Sequence, residues 1–320
     1  MTLLTLADVR AAHERIQPFI HRTPVLTSAL LNARLGARVF FKCENLQKTG
    51  SFKARGAHNA VYSLADADAA RGVVTHSSGN HAGALARAAQ RRGIPCTVVM
   101  PANASAAKKA AVAAYGATII ECEPTLSARE AAAAQVLAAT RGTLVHPYDD
   151  CRVVAGQGTA ALELLEDYPD LDLLLTPVGG GGLLAGSALA AKSLNGMIRV
   201  IGVEPELADD TFRSYHGTTR VVINSSTTIA DGLRGSIGAR NLELLRKHVD
   251  DIVTVSEAEI IAATRLLWER MKIVVEPSSA VPLAALLNGK VPVAGLLVGI
   301  ILSGGNVDLD ALPWAHPAGR

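Results

Sequence analysis

Lys53 stands in the polar run Asn45-Leu46-Gln47-Lys48-Thr49-Gly50-Ser51-Phe52-Lys53-Ala54-Arg55-Gly56, which follows an apolar strand-like segment and opens into a helix near the lysine. A helix start favours anions, so an amine placed there is drawn toward a lower pKa and welcomes an anionic neighbour, as an amine that adds to an aldehyde requires. The run His76-Ser77-Ser78-Gly79-Asn80-His81-Ala82 again reads strand, turn, helix. Its small residues let backbone N–H groups converge on a carboxylate, while Ser78 and Asn80 add a hydroxyl and an amide. The same turn also suits an ordinary helix cap at Ser78 or Asn80, and His81 also suits a structural histidine held by backbone. In Pro177-Val178-Gly179-Gly180-Gly181-Gly182-Leu183-Leu184-Ala185-Gly186, four consecutive glycines carry the maximal backbone-entropy cost and no packing value. They imply a main chain that must approach something closely, a phosphate at the start of the next helix being the best fit. Finally, Leu302-Ser303-Gly304-Gly305-Asn306-Val307-Asp308 follows a buried apolar run and can hold the Ser303 hydroxyl at a sheet edge facing a ligand; taken alone, the motif is no more than a turn.

The glycine run permits a second chemistry. Gly180-Gly181-Gly182-Leu183-Leu184-Ala185 satisfies the G-x-G-x-x-A dinucleotide fingerprint, and Glu204 lies 24 residues beyond Gly180 at the end of the next strand-like run. On the residues alone, a nicotinamide-dependent dehydrogenase stays open, although it leaves Lys53 and the Ser78 turn without a role.

Such loops need strands and helices behind them. Val39–Cys43, Gly72–Thr75, Thr97–Met100, Thr118–Glu121, Leu171–Thr176, Arg199–Val203 and Val293–Ile301 read as buried strands. Asn80–Arg91, Ala106–Ala114, Ala128–Thr140, Thr159–Glu166 and Glu257–Met271 read as Ala-rich helices. The alternation predicts an α/β fold of two lobes, each with a mostly parallel twisted sheet flanked by helices. Segment 69–149 supplies about four strands and three helices, enough for a small lobe, while 1–68 and 150–320 pair into a larger one. In parallel sheets ligands bind at the carboxyl ends of strands, and all four loops follow strands.

Composition narrows the partners. With 31 basic and 29 acidic residues the net charge is +2, and no basic run stands out, so neither nucleic acid nor a membrane surface is an expected partner. A small molecule fits better. The four cysteines (Cys43, Cys96, Cys122, Cys151) lack metal or redox spacing and read as reduced thiols of a cytoplasmic protein. The first residues lack a signal peptide's basic start and apolar core, and no apolar run reaches membrane-spanning length.

Taken together and in this order, the four loops resemble those of fold-type II pyridoxal-5′-phosphate (PLP) enzymes of the serine/threonine dehydratase and serine racemase group, over about Thr23 to Asp308. The resemblance implies that Lys53 is the Schiff-base lysine and moves the α-proton on one face of the substrate. Gly179, Gly180, Gly181, Gly182 and Leu183 would cradle the cofactor phosphate, Asn80 would bond its ring hydroxyl, Ser303 its pyridine nitrogen, and Phe52 would stack on the ring. Ser77, Ser78, Gly79, Asn80 and His81 would hold the substrate carboxylate, with Ser78 as a second acid/base on the opposite face. A neutral serine at the pyridine nitrogen makes the ring a weaker electron sink, which favours elimination and suppresses transamination. Residues 1–68 and 150–320 become the PLP-binding domain and 69–149 the substrate-carboxylate domain.

Further along, Glu204-Pro205-Glu206-Leu207-Ala208-Asp209-Asp210 resembles the racemases' divalent-cation site: Glu204, the Ala208 carbonyl and Asp210 suit Mg²⁺, Ca²⁺ or Mn²⁺. Tyr115 and Arg129 match positions of the mammalian racemases, whereas His146-Pro147-Tyr148-Asp149-Asp150 looks more like bacterial threonine dehydratases. The expected activity is an L-serine/L-threonine ammonia-lyase giving a 2-oxo acid and ammonia; racemisation and elimination from 3-hydroxyaspartate are the alternatives. The expected assembly is a homodimer.

Overall fold

The computed structural model describes residues 4–77, 79–223 and 225–314. Among them the strands are β1 (Val25–Leu26), β2 (Arg38–Cys43), β3 (Val73–His76), β4 (Cys96–Pro101), β5 (Thr118–Cys122), β6 (Thr143–Leu144), β7 (Leu173–Pro177), β8 (Arg199–Pro205), β9 (Asp251–Val255) and β10 (Leu297–Leu302). They form two sheets, a six-stranded one in the order β1-β2-β10-β7-β8-β9 and a four-stranded one in the order β5-β4-β3-β6. Every pairing is parallel except that of the short β1 with β2. The fold is therefore α/β with parallel-sheet lobes flanked by helices.

Strand order explains how residues far apart in the chain come to share one place. β10 lies between β2 and β7, with Leu302 beside Cys43 and Ile300 beside Leu175. The segments that follow these three strands, carrying Lys53, Ser303 and the four glycines, thus emerge side by side at the carboxyl edge of one sheet. β3 delivers Asn80 from the edge of the other. The central strands are apolar on both faces, Leu173, Leu174 and Leu175 all being inaccessible to solvent, as a sheet covered by helices on each side demands.

The helix Cys151–Asp167 is longer than the expected Thr159–Glu166, starting eight residues earlier behind an Asp150 cap whose carboxylate accepts the Arg152 N–H. Gly156 and Gly158, which weaken the helical reading of the sequence, are present for packing. A Cβ on Gly156 would lie 2.6 Å from the Gly56 Cα, and one on Gly158 would lie 2.7 Å from the Gly186 carbonyl oxygen. Three helices, Lys53–Tyr62, Cys151–Asp167 and Gly182–Leu194, approach one another at backbone distance because neither partner carries a side chain at the crossing. The expected strand Val293–Ile301 begins only at Leu297, because Gly295 turns the chain with φ +80° just before it.

All four cysteines are free thiols, Cys43 and Cys96 buried and the other two partly so. No described helix is long and apolar enough to cross a membrane.

Candidate active site

A cleft of about 430 Å³ opens where these loops meet, lined by Lys53, Asn80, Tyr148, Glu276, Ser303 and the glycine loop, among others. Lys53 is the first residue of its helix and is aimed by Phe52, whose N–H donates to the Ser303 carbonyl at 2.9 Å. Its amine donates to the Pro147 carbonyl at 2.7 Å and lies 5.2 Å from the centre of the Phe52 ring. Burial lowers its pKa to about 8, against a smaller opposing pull from the Glu276 carboxylate. The helix start anticipated the direction of that shift, but the cause is desolvation. An amine of this kind exists in part as the free base near neutrality, the state a nucleophile or proton acceptor needs.

The glycine loop is packed closely by the protein itself, so its glycines do carry packing value, contrary to the expectation from sequence. Gly181 adopts φ +86°, open to glycine, and it caps the helix Gly182–Leu194 with no side-chain bond. A Cβ on Gly179 would lie 2.8 Å from the Leu233 Cα, and one on Gly180 would lie 2.3 Å from Cγ of Tyr148, whose ring stands over the loop. The first-turn amides of such a helix have no carbonyl partner of their own and are available to a phosphate, with Leu183 following directly behind. Ser303 is 2% exposed at the end of β10, with Oγ 3.2 Å from Ser279 Oγ. Ser279 already donates to the Gly304 carbonyl at 2.6 Å and accepts the Gly304 N–H at 2.7 Å, so it anchors Ser303 from behind. The donor set thus fits PLP: an amine partly in its free-base form, helix-start amides for phosphate, a hydroxyl and an amide for the ring.

Ser77, Gly79, Asn80 and His81 also line the cleft. Ser78 lies outside the described residues. The helix Asn80–Arg92 is capped by Gly79 without a side-chain bond, so Asn80 does not act as a cap. Its Nδ2 instead donates to both Glu276 oxygens, at 3.0 and 3.1 Å. One ring nitrogen of His81, Nε2, faces the Val145 carbonyl at 3.3 Å, while Nδ1 is buried with no partner. Burial, then the Lys53 charge, holds this histidine well below its ordinary pKa, hence neutral.

Glu276 is the member of the site that sequence reasoning missed. It precedes Pro277 at a helix start, where an acidic residue is commonplace, yet it is 3% exposed and faces the cleft. Burial, then Asp231, pushes its carboxyl up to about 7, against the Asn80 and Asn306 hydrogen bonds. Arg129 lines the cleft with no carboxylate partner among the described residues, its one side-chain hydrogen bond there going weakly to the Thr125 carbonyl at 3.4 Å. Lys108, also at the cleft, pairs with Asp231 at 2.8 Å.

Behind the glycine loop lies the expected cation site. Glu204, at the end of β8, accepts the N–H groups of Thr211 at 3.1 Å and Phe212 at 2.8 Å. Asp210 Oδ2 accepts the Ile237 N–H at 2.7 Å, while Oδ1 is buried and unpartnered. Ala208 is buried alongside. Burial, then Asp210, raises Glu204 well above its ordinary pKa, and burial raises Asp210 to about 6. No group of three or more metal-ligating side chains occurs among the described residues. Thr211 ties it to the loop through a 3.3 Å hydrogen bond to the Gly179 carbonyl.

Fold and cleft together define an α/β enzyme with a lysine of lowered pKa and a glycine loop at the carboxyl edge of one mostly parallel sheet. The family model described as pyridoxal-phosphate dependent enzyme matches residues 16–304, and the chain belongs to that family. It is 52% identical to a beta-hydroxyaspartate dehydratase of Paracoccus denitrificans, over 98% of this chain and all of that one. It is 48% identical to the serine racemase of Dictyostelium discoideum, covering 98% of each. A crystal structure titled as the Dictyostelium serine racemase superposes with a TM-score of 0.91 at 49% identity, covering 96% of this chain and 99% of that one. The crystal structure of a T.th. threonine deaminase superposes with a TM-score of 0.90 at 46% identity, covering 95% and 99%.

Proposed function

We propose that this enzyme is a PLP-dependent ammonia-lyase acting on small β-hydroxy α-amino acids, L-serine and L-threonine first: the β-hydroxyl leaves as water, and the resulting imine takes up water and releases ammonia, so that the net products are a 2-oxo acid and ammonia. The single observation that carries the reading is the half-buried Lys53 amine, its pKa lowered to about 8, in one cleft with the glycine loop and the Ser303 hydroxyl. When bound, PLP withdraws electrons from the α-carbon and so makes its proton removable. Lys53 Nζ takes that proton; the turn from Ser77 to His81 receives the substrate carboxylate on backbone N–H groups. Ser303, a neutral partner for the pyridine nitrogen, favours departure of the β-hydroxyl over transamination. Residues 69–149 form the domain that holds the carboxylate, and 1–68 with 150–320 the one that holds the cofactor.

Arg129 favours a second reading. A guanidinium at the cleft without a carboxylate partner among the described residues suits a substrate with a second carboxylate, such as 3-hydroxyaspartate. The 52% identity to a beta-hydroxyaspartate dehydratase points the same way. Racemisation rests on Ser78 as the acid on the opposite face. Glu204, the Ala208 carbonyl and Asp210 hold a divalent cation, Mg²⁺, Ca²⁺ or Mn²⁺. Two buried carboxylates, one raising the proton affinity of the other and leaving one oxygen unpartnered, are the donors such an ion neutralises. The working unit is a cytoplasmic homodimer.

Incubation of the PLP-loaded enzyme with L-serine, L-threonine and 3-hydroxyaspartate, reading 2-oxo acid, ammonia and D-enantiomer, tests these assignments. Release of 2-oxo acid with equimolar ammonia is expected. Enantiomer interconversion without 2-oxo acid would overturn the lyase reading. If 3-hydroxyaspartate is the substrate, Arg129→Met will raise its KM while leaving that of L-serine nearly unchanged.

A further inference from the structure

An asparagine amide has a donor end and an acceptor end, and a residue that must donate to a cofactor oxygen needs the right end held forward. Asn80 is held by a chain of hydrogen bonds whose sense is fixed at its far end. The Thr49 carbonyl can only accept, so the Asn306 group 2.8 Å from it is the nitrogen, Nδ2. The same nitrogen lies 2.9 Å from Asn80, which therefore presents Oδ1 to it. Asn80 must then turn Nδ2 the other way, where both Glu276 oxygens accept. Glu276 is in turn held by the Asn306 N–H at 3.2 Å. The approach of Asn306 to the Lys53 loop requires glycine at position 50, where φ is +72° and a Cβ would lie 2.4 Å from Asn306 Oδ1.

Resting on the reading that Asn80 faces the ring oxygen of PLP, we propose that Glu276 is a positioning residue which, with Asn306, locks Asn80 with its amide nitrogen as the donor toward that oxygen. One N–H of Asn80 serves the carboxylate and leaves the second for the cofactor. Three of the four sequence motifs, those of Lys53, Asn80 and Ser303, are joined by this one chain. The charged groups that face Glu276 are Asp231, Lys108 and, across the cleft, Lys53. Because Glu276 titrates near neutrality, its ionisation alters the acceptor that Asn80 sees, and hence the field at the ring oxygen.

The test uses holoenzyme and two readouts besides turnover: the PLP dissociation constant and the pH dependence of the bound cofactor's absorption between pH 6 and 9. Asn80→Ala should weaken PLP binding about tenfold, the worth of one unmet buried hydrogen bond. Glu276→Ala and Asn306→Ala should each weaken it similarly, and combining either with Asn80→Ala should cost nothing further. Glu276→Gln, which keeps an acceptor oxygen, should restore affinity while abolishing the change in absorption near pH 7. Melting of the apoprotein should move little in Asn306→Ala. Additive losses, or a Glu276→Gln enzyme that titrates like wild type, would overturn the proposal. Should Glu276→Ala not fold, the Asn306→Ala and Glu276→Gln arms decide it alone. If Asn80→Ala changes neither affinity nor absorption, the ring-oxygen reading itself fails, and the proposal with it.

Discussion

Two regions of this protein bury charge, and they bury it differently. Behind the first turn of the Lys53 helix, Arg55, Lys42, Glu44 and Glu163 are all at most 1% exposed. Every donor of Arg55 is used: Nε and Nη2 reach Glu44, Nη1 and Nη2 reach Glu163, and Nη1 also reaches Thr159, at 2.7 to 3.0 Å. Lys42 completes the set, at 2.6 Å from Glu163 and 2.8 Å from the Thr23 carbonyl. Two positive and two negative groups cancel. Burial alone would raise Glu163, but the hydrogen bonds and charge of Arg55, then Lys42, hold it down at about 2. On the cleft side, Glu276 at about 7 and Lys53 at about 8 lack such compensation, as does Asp210, at about 6, behind the glycine loop. The lesson is that matched buried charges make a scaffold that stays in one protonation state. Unmatched ones change state near neutral pH and are available to a ligand, a cation or a proton transfer.

Breaking each side should have a different signature. The largest effect belongs to Lys53→Ala, expected to lower turnover by about two to four decades, the usual worth of a positioned acid/base, with little change in apoprotein melting. An apoprotein that melts far lower would mean that Lys53 is structural. Glu163→Ala leaves Arg55 and Lys42 partly unpaired in the interior and should cost about 3–5 kcal/mol in denaturant unfolding. A loss under about 1 kcal/mol would show that the network is dispensable. Glu163 stabilises above its ordinary pKa, and that contribution is lost only as pH falls toward 2.

Glu276 has the opposite sign. Its pKa is raised on folding, so its favourable contribution is fully present below its ordinary value of 4.5 and is lost as pH rises through about 7. The melting temperature of wild-type apoprotein relative to Glu276→Gln should therefore fall between pH 5 and pH 8. A difference that stays flat would mean that Glu276 does not titrate in that window. A smaller effect is expected from Mg²⁺, which should raise the melting temperature of wild type by binding the folded state and leave Glu204→Ala unmoved. An equal rise in both would place the ion elsewhere.

How much of this was legible in the sequence follows from the same contrast. The four loops were legible because four adjacent glycines, a Ser-Phe-Lys at a helix start and a Ser-Gly-Gly after a buried strand are unusual runs at strand ends; that Leu233, Tyr148 and Ile237 pack where the loop glycines lack a Cβ was not legible. Parallel strands alternating with Ala-rich helices likewise pointed to the α/β fold. Glu276 was not legible, because a glutamate before Pro277 looks like any acidic helix start, and its burial is decided by Asn80 and Asn306, 196 and 30 residues away. The scaffold network was equally hidden, since Arg55, Lys42 and Glu163 meet only when their strand and two helices pack. The early start of the helix Cys151–Asp167 was obscured by Gly156 and Gly158, whose purpose lies on the neighbouring helices.

The central claim is that the uncompensated amine of Lys53 is the point of covalent attachment for PLP. Borohydride reduction of the PLP-loaded protein, followed by peptide mapping, tests it most directly. A single reduced adduct on Lys53 is expected, with Lys42 unlabelled in its ion pair with Glu163. An adduct on Lys42, Lys48 or Lys108 instead, or PLP released in full after reduction, would contradict it.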